Sequence, residues 1–354
     1  MDLEWIELWT KILIFLKNVR VLIMKVLSKI AFLIALIAVL FSLSAVITNV
    51  YKENNPPVAD RTENINVLLE KGENWERIVE TIPVKINDIP LAKENYPVID
   101  GSTATIPMSM EFARQLLDMS ESEIKDFVKH NTTHYAYVNL IEKKADIIFV
   151  SEPSDEELAL AKDKGVEMVL TPIARDAFVF IVNKKNPIDN LSLSQIQKIY
   201  TGEIKNWSQV GGKNKTIVAF QRAKNSGSQT IMENVVMKGL TMAPPPSFQE
   251  VGNMGELVDR VSEYKNADNS IGYTIYYYVT RLYKSEEVKV IGINGVECSP
   301  ETIRNGSYLL SGNIYAVTRK DEDENSGANL LLKWILSDEG QRCIEQAGYV
   351  GIER

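Results

Sequence analysis

The sequence predicts an α/β protein carrying an apolar segment near its N-terminus, on three observations. From Tyr96 onward, short apolar runs alternate with stretches of helical character. YPVID leads through a Gly-Ser-Thr turn into SMEFARQLLDM, ADIIFVS leads into DEELALAKDKG, and VEMVLTPIA and DAFVFIVN follow. Such alternation builds a sheet, expected here to be largely parallel, with helices on its faces. Within it, AFVFIV is apolar at every position, as a strand covered on both faces requires. The third observation is Ile30 to Val50, which carries no charged residue and matches one bilayer thickness when helical. No repeat or low-complexity segment interrupts this organisation.

Residues 1–29 carry five basic against three acidic side chains and read as a cytoplasmic or interfacial segment. Residues 30–50 form a transmembrane anchor or signal segment. The basic flank on its N-side places the N-terminus in the cytoplasm and the rest of the chain outside, as a single-pass protein of the cell membrane. A cleaved signal peptide starting at Met24 (MKVLSKIAFLIALIAVLFSLSA) is the rival reading, and would make the body secreted and Met24 the start of translation. Residues 51–94 read as a polar stalk broken by Asn-Asn-Pro-Pro at 54–57.

Composition narrows the function. Across 354 residues, 39 Lys and Arg stand against 47 Asp and Glu, for a formal net charge of −8. With +2 on residues 1–29, the remaining body holds −10, which argues against a nucleic-acid partner. Two His and two Cys show no zinc-ligand spacing, so neither metal nor cofactor is expected. At most one disulfide, Cys298–Cys343, can form.

Three loops could carry chemistry. Asp100-Gly-Ser-Thr-Ala-Thr-Ile-Pro107 lies between an apolar run and a helix, where Ser102 and Thr103 either cap the helix or leave backbone N–H groups free for an anion. The stretch Thr216 to Gln229 brings Arg222, Ser226, Gly227 and Ser228 to a strand-to-helix turn. Arg offers a planar donor set matched to an oxyanion, and Gly permits close backbone approach. The alternative is a capped helix beside a solvated Arg. Ser151-Glu152-Pro153 ends the strand ADIIFV, where open α/β sheets place ligand groups. A carboxylate there only accepts hydrogen bonds, so beside an oxyanion it selects one that keeps a proton.

An enzyme finds little support. His130 and His134 lie in no H-E-x-x-H pattern, and neither a G-x-S-x-G elbow nor a G-x-x-x-x-G-K loop occurs.

Several segments together resemble the phosphate-binding proteins of ABC transporters, in the two-lobed periplasmic-binding-protein superfamily. LSLSQIQKIYTGEIKNWSQVGG (191–212) carries Ile-Tyr-x-Gly and Asn-Trp, and SIGYTIYYY (270–278) resembles the family's Ile-Gly-Tyr strand. INGVECSPETIRNGSYLLSGNIYAV (293–317) and LLKWILSDEGQRCIEQAGYVGI (331–352) resemble its C-terminal return. The likeness covers residues 95 to 354.

The resemblance implies a type II-like two-lobed fold, with lobe 1 formed by 95–172 plus 291–354 and lobe 2 by 173–290. It implies a tetrahedral-anion site between the lobes. The family's Ala-Thr-aromatic-Pro turn matches Ala104-Thr105-Ile106-Pro107, which nominates Thr105, as backbone and hydroxyl donor, and Ile106. Its Arg-x-x-x-Ser-Gly-Thr matches Arg222, Ser226, Gly227 and Ser228. Its Ser-Asp-x-Pro matches Ser151-Glu152-Pro153, with a carboxylate one methylene longer. Its serine-rich loop has no clear counterpart; Thr132 and Thr133 stand in about the right place. The function so implied is capture of inorganic phosphate or a similar oxyanion by a monomer that delivers it to an ABC permease. A membrane-anchored oxyanion sensor is the alternative, and a cell-surface hydrolase the third reading.

Overall fold

A computed structural model describes residues 91–352 apart from 118, 246–248 and 264–266, together with Leu16. The chain divides into two compact units, Met1–Ala59 and Asp60–Arg354, and the fold described here belongs to the second. Apart from Leu16 and residues 91–94, the expected segments 1–29, 30–50 and the stalk 51–94 lie outside the described residues. Among the described residues no helix is long and apolar enough to cross a membrane.

Strand β1 (Ile99–Gly101) leads through a 3-10 turn at Thr103–Thr105 into α1 (Ile106–Leu117), followed by α2 (Glu121–Phe127) and α3 (Thr132–Ile141). Then come β2 (Ile147–Val150), α4 (Asp155–Asp163), the long β3 (Met168–Asn183), β4 (Asn190–Leu191) and α5 (Leu193–Tyr200). The next segment holds β5 (Val218–Ala219), β6 (Gln221–Arg222) and α6 (Gly227–Ile231), which runs on as a π-helical stretch Met232–Met237. After β7 (Glu250–Val251), α7 (Met254–Glu263), β8 (Ser270–Ile275) and β9 (Val288–Ile293), the chain returns through α8 (Pro300–Arg304), β10 (Ser311–Arg319), α9 (Gly327–Ile335), α10 (Asp338–Gln346) and β11 (Val350–Gly351). Seven of these helices, α2, α4, α5, α6, α8, α9 and α10, start on a serine whose side chain accepts a backbone N–H of the first turn.

Nine strands form one sheet in the order β1-β2-β10-β3-β8-β5, with β9 and β11 also on β3 and β4 on β9. The expectation of a largely parallel sheet is overturned. All four neighbours of β3 (β8, β9, β10 and β11) run antiparallel to it, and parallel pairing in this sheet is confined to β1–β2, β4–β9 and β5–β8. VEMVLTPIA and DAFVFIVN, which read as separate runs, are one continuous strand with no room for a crossover helix between them. Complete apolarity reports burial on both faces, and a helix-covered antiparallel strand satisfies it equally well.

Strand β3 also changes partners along its length. Met168 to Ala177 pairs with β10, whereas Phe178 to Asn183 pairs with β8 and β9. Aromatic residues fill the core on either side of this change. Phe112 meets Phe149 and Trp334 edge-on, with ring centroids 5.6 Å from each. Phe178, Phe180, Tyr200 and Tyr273 form a second cluster at 5.4–6.1 Å.

Candidate functional site

Strands β1 and β2 run parallel, so their C-terminal ends emerge side by side at Gly101 and Val150. The turn that follows β1 is pinned from several directions. Ser102 N donates to Phe149 O at 2.9 Å, and Tyr349 Oη donates to Ala104 O at 2.6 Å from the C-terminal return. Thr105 is buried, with its hydroxyl 2.8 Å from Phe149 O and 2.9 Å from Ser102 O. Its single proton is therefore turned to the backbone. Ile106 is packed into the hydrophobic core and does not line the cavity, while Ser102, Thr103 and Thr105 do.

Asp100 and His130 hold this turn against the next loop. Asp100 Oδ1 accepts from the backbone N–H of Gly101 and Asn131, each at 2.7 Å, and Oδ2 accepts from the side-chain amides of Asn131 (2.9 Å) and Asn139 (2.7 Å). His130 is buried with Nδ1 2.9 Å from Ser102 O and Nε2 3.0 Å from Ser109 Oγ. Burial pushes its pKa below the usual imidazole value. Gly101 is required here, because a Cβ would come within 2.6 Å of Phe149 O and 2.7 Å of the His130 ring.

Thr132 opens α3 with a φ of 69°, a left-handed conformation that β-branched residues rarely adopt. Behind it, Thr133 is buried and lines the cavity with Thr132 and His134. His134 Nδ1 lies 3.0 Å from Glu157 Oε1. The loop after β2 adds Ser151 and Glu152, and Tyr137 Oη holds it by donating to Ser151 O at 2.7 Å. Glu152 is exposed, with Oε1 accepting from Tyr315 Oη at 3.0 Å.

The opposite wall comes from β6 and α6. Arg222 is buried; its backbone N donates to Tyr273 Oη at 2.9 Å and its Nη2 to Gly252 O at 3.1 Å. Asn225 takes a φ of 63°, and Ser226 then caps α6 by accepting from Gln229 N. Ser228 Oγ is buried with no hydrogen-bond partner among the described residues. Gly227 allows the two walls to meet, since a Cβ on it would stand 2.5 Å from Thr133 Oγ1 and 3.2 Å from Ser151 Oγ. Outside this contact, Glu156 of α4 accepts from both Lys224 Nζ and Asn225 Nδ2.

These segments enclose a cavity of about 330 Å³. It brings together Ser102, Thr103, Thr105, Thr132, Thr133, Glu152, Arg222, Ser226, Gly227 and Ser228, leaving out only Ile106 of the residues nominated from sequence. The remaining lining includes Asp176, Asn313 and Tyr315, none of which stood out in the sequence, and also His134 and Phe178, which the sequence did not nominate for the site. Asp176 is 7% exposed; its Oδ1 accepts from Ala177 N at 2.7 Å and Tyr277 N at 3.1 Å, and Oδ2 has no partner among the described residues. Burial outweighs those two bonds and raises its pKa to about 7.

Chemically the cavity offers hydroxyl donors and one guanidinium, with carboxylates at its edge and floor. Cys298 and Cys343 are both free thiols, and burial raises the pKa of each, so neither supplies a thiolate. Among the described residues no group of three or more His, Cys, Asp or Glu is disposed to hold a metal ion.

Residues 98–339 match the family model described as "PBP superfamily domain". The chain belongs to the PBP superfamily. "Phosphate-binding protein PstS" of Staphylococcus aureus (strain USA300) is 29% identical over 258 residues, covering 71% of this chain and 76% of that protein. A putative phosphate ABC transporter substrate-binding protein from Clostridium perfringens, solved with bound phosphate, superposes with a TM-score of 0.58 at 28% identity. The match covers 73% of this PBP chain and all of that one. An ABC-type phosphate transport receptor from Vibrio cholerae has the same fold, with a TM-score of 0.54 at 20% identity over 72% of this chain and 99% of that one. The family resemblance drawn from the sequence is thereby borne out.

Proposed function

We propose that this PBP-superfamily chain is a substrate-binding protein that captures an oxyanion, inorganic phosphate, for an ABC importer, and is not an enzyme. The observation that carries the reading is the meeting of Arg222 and Ser228 with Thr133, Ser102 and Thr103 around one cavity. Arg222 supplies charge-assisted hydrogen bonds, and Ser228 Oγ is a buried polar atom whose desolvation a ligand oxygen would relieve. Backbone N–H groups of Thr103, Ala104, Gly227 and Ser228, in the first turns after Ser102 and Ser226, add neutral donors, which hold an anion without leaving an unpaired charge in the empty site. The names borne by the Staphylococcus and Clostridium relatives favour phosphate over other oxyanions.

Glu152 is the proton-reading acceptor in this account: its carboxylate accepts from a protonated phosphate and repels sulfate. Lobe 1 comprises 95–172 and 291–354 and lobe 2 comprises 173–290, a division supported by the change of partners along β3 at Ala177–Phe178. The lobes close on the ligand by a hinge there, so affinity reflects the difference between open and closed states. The protein is a monomer, anchored by residues 30–50 with the body outside the cell and an ABC permease as its membrane partner. Native mass spectrometry of the purified full-length chain tests the ligand: an exchangeable adduct whose mass rises when oxygen-18-labelled phosphate replaces ordinary phosphate is expected. An adduct of another mass that phosphate fails to displace would contradict the assignment.

A further inference from the structure

The cavity is larger than inorganic phosphate needs, and one part of it is apolar. A single water needs about 10–15 Å³ of cavity volume, and a tetrahedral ion with four oxygens roughly four times that, about 50 Å³. The cavity holds about 330 Å³. The polar walls already touch at Gly227 and Thr133, so the excess is not a gap between them. Gly227 lies so close to Thr133 that a Cβ could not be inserted, and Glu156 is bonded to both Lys224 and Asn225 across the mouth.

The spare volume has its own lining. Phe178 and Ile275 are directly paired across β3 and β8, so their side chains share one face of the sheet, and Phe178 N donates to Leu310 O beside them. Ile231 and Val235 lie four residues apart on the continuous helical stretch after Ser228, one turn above one another, and Met254 opens α7 opposite. All six line the same cavity as Arg222 and Ser228. A hydrated ion leaves such a surface wetted at a free-energy cost, whereas an apolar substituent dries it.

We infer that this site accepts a tetrahedral phosphorus oxyanion bearing one apolar substituent, a phosphate monoester or a phosphonate, with the oxyanion at Arg222 and Ser228 and the substituent against Phe178, Ile275, Ile231 and Val235. The inference rests on the oxyanion-binding reading above and deepens it. Calorimetric titration of the full-length chain with phosphate and with methyl, ethyl and butyl phosphates and phosphonates tests it, at about pH 5, below the second ionisation of phosphate monoesters near pH 6. Affinity is expected to rise about four-fold per added methylene in whichever series is the natural class. Phosphate binding with affinity falling along both series would overturn the inference and leave the phosphate reading intact. Failure of phosphate and every ester and phosphonate to bind would overturn both.

Two variants locate the substituent. Ile231→Trp fills the apolar part and Val235→Asp charges it, and each is expected to lower the ratio of butyl phosphate to phosphate affinity by ten-fold or more. Val235 is partly exposed, so its variant folds without burying the new charge. Unchanged ratios in both variants would place the substituent elsewhere and overturn the assignment.

Discussion

Arg222 reaches the cavity from a strand of two residues, held by its own backbone N–H on Tyr273 Oη and by a guanidinium bond to Gly252 O. Arg222→Ala should weaken phosphate binding ten-fold or more, since a charge-assisted hydrogen bond contributes about 1.5–3 kcal/mol. Titration calorimetry on variant and parent decides this; equal affinities would mean that the anion sits elsewhere. Asp176 offers a pH test of the structure itself. Its carboxyl, raised to about pH 7 by burial, stays protonated in the folded chain over a range where the unfolded chain ionises it. Its contribution to stability is therefore present below about pH 4 and lost as pH rises through about 7. Asp176→Asn keeps the acceptor for Ala177 and Tyr277 and cannot ionise. It should raise the melting temperature by several degrees at pH 8 and by little at pH 4. His130 works in the opposite sense: its lowered pKa gives stability that is present above about pH 6.5 and lost as pH falls. Melting curves of a His130→Gln variant should lose the parent's decline below that pH.

At the scale of elements, the site is an agreement among turns. Seven helices begin on a serine cap, a pattern written locally as Ser followed three residues later by a Glu, Gln or Thr in five of them, Ser120, Ser154, Ser192, Ser226 and Ser299. Helices α1 and α4 were legible from the alternation of apolar runs with helical stretches, and α6 from Ser226-Gly227-Ser228 at its start, as were the loops before α1 and α6 that carry Ser102 and Arg222. The Ile-Tyr-x-Gly and Asn-Trp stretch proves architectural. Tyr200 and Trp207 are buried, Gly202 turns with a φ of 79°, and Trp207 Nε1 donates to Asn269 O at 2.8 Å. Strand direction was not legible, because apolarity reports burial and the two runs of β3 join without a break. The two-residue strands β4, β6 and β7 were equally hidden, since a strand that short has no period to read, whereas β5 was expected as the strand ahead of Arg222. Asn313 and Tyr315 escaped notice because β10 brings Tyr315 to Glu152 from more than 150 residues away, with Asn313 bonded to the Tyr315 hydroxyl, and no local pattern encodes that meeting. Gly227 supplies the element-scale prediction. Gly227→Ala should push α3 and α6 apart and lower the melting temperature, and adding Thr133→Ala should recover part of that loss by removing the hydroxyl that the new Cβ strikes. Additive losses in the double variant would show that the close approach of these helices does not matter.

Across the whole molecule, a formal charge of −8 surrounds a site read as taking an anion. The two are compatible because Arg222 and the hydroxyls act over a few ångströms, while surface carboxylates are screened beyond about 8–10 Å at ordinary ionic strength. One strand connects both walls: β3 pairs with β10 over its first part and with β8 and β9 over its second, and β8 pairs with β5, which leads directly into the separate β6–β7 pair that holds Arg222. Raising salt from about 50 to 500 mM should therefore change phosphate affinity by less than ten-fold, as expected for a site whose field is local. The most direct test of the central claim is calorimetric titration of the full-length chain with phosphate and with sulfate at neutral pH. The account predicts saturable one-to-one binding of phosphate and at least ten-fold weaker binding of sulfate. No heat with phosphate, from a chain that melts cooperatively, would contradict it.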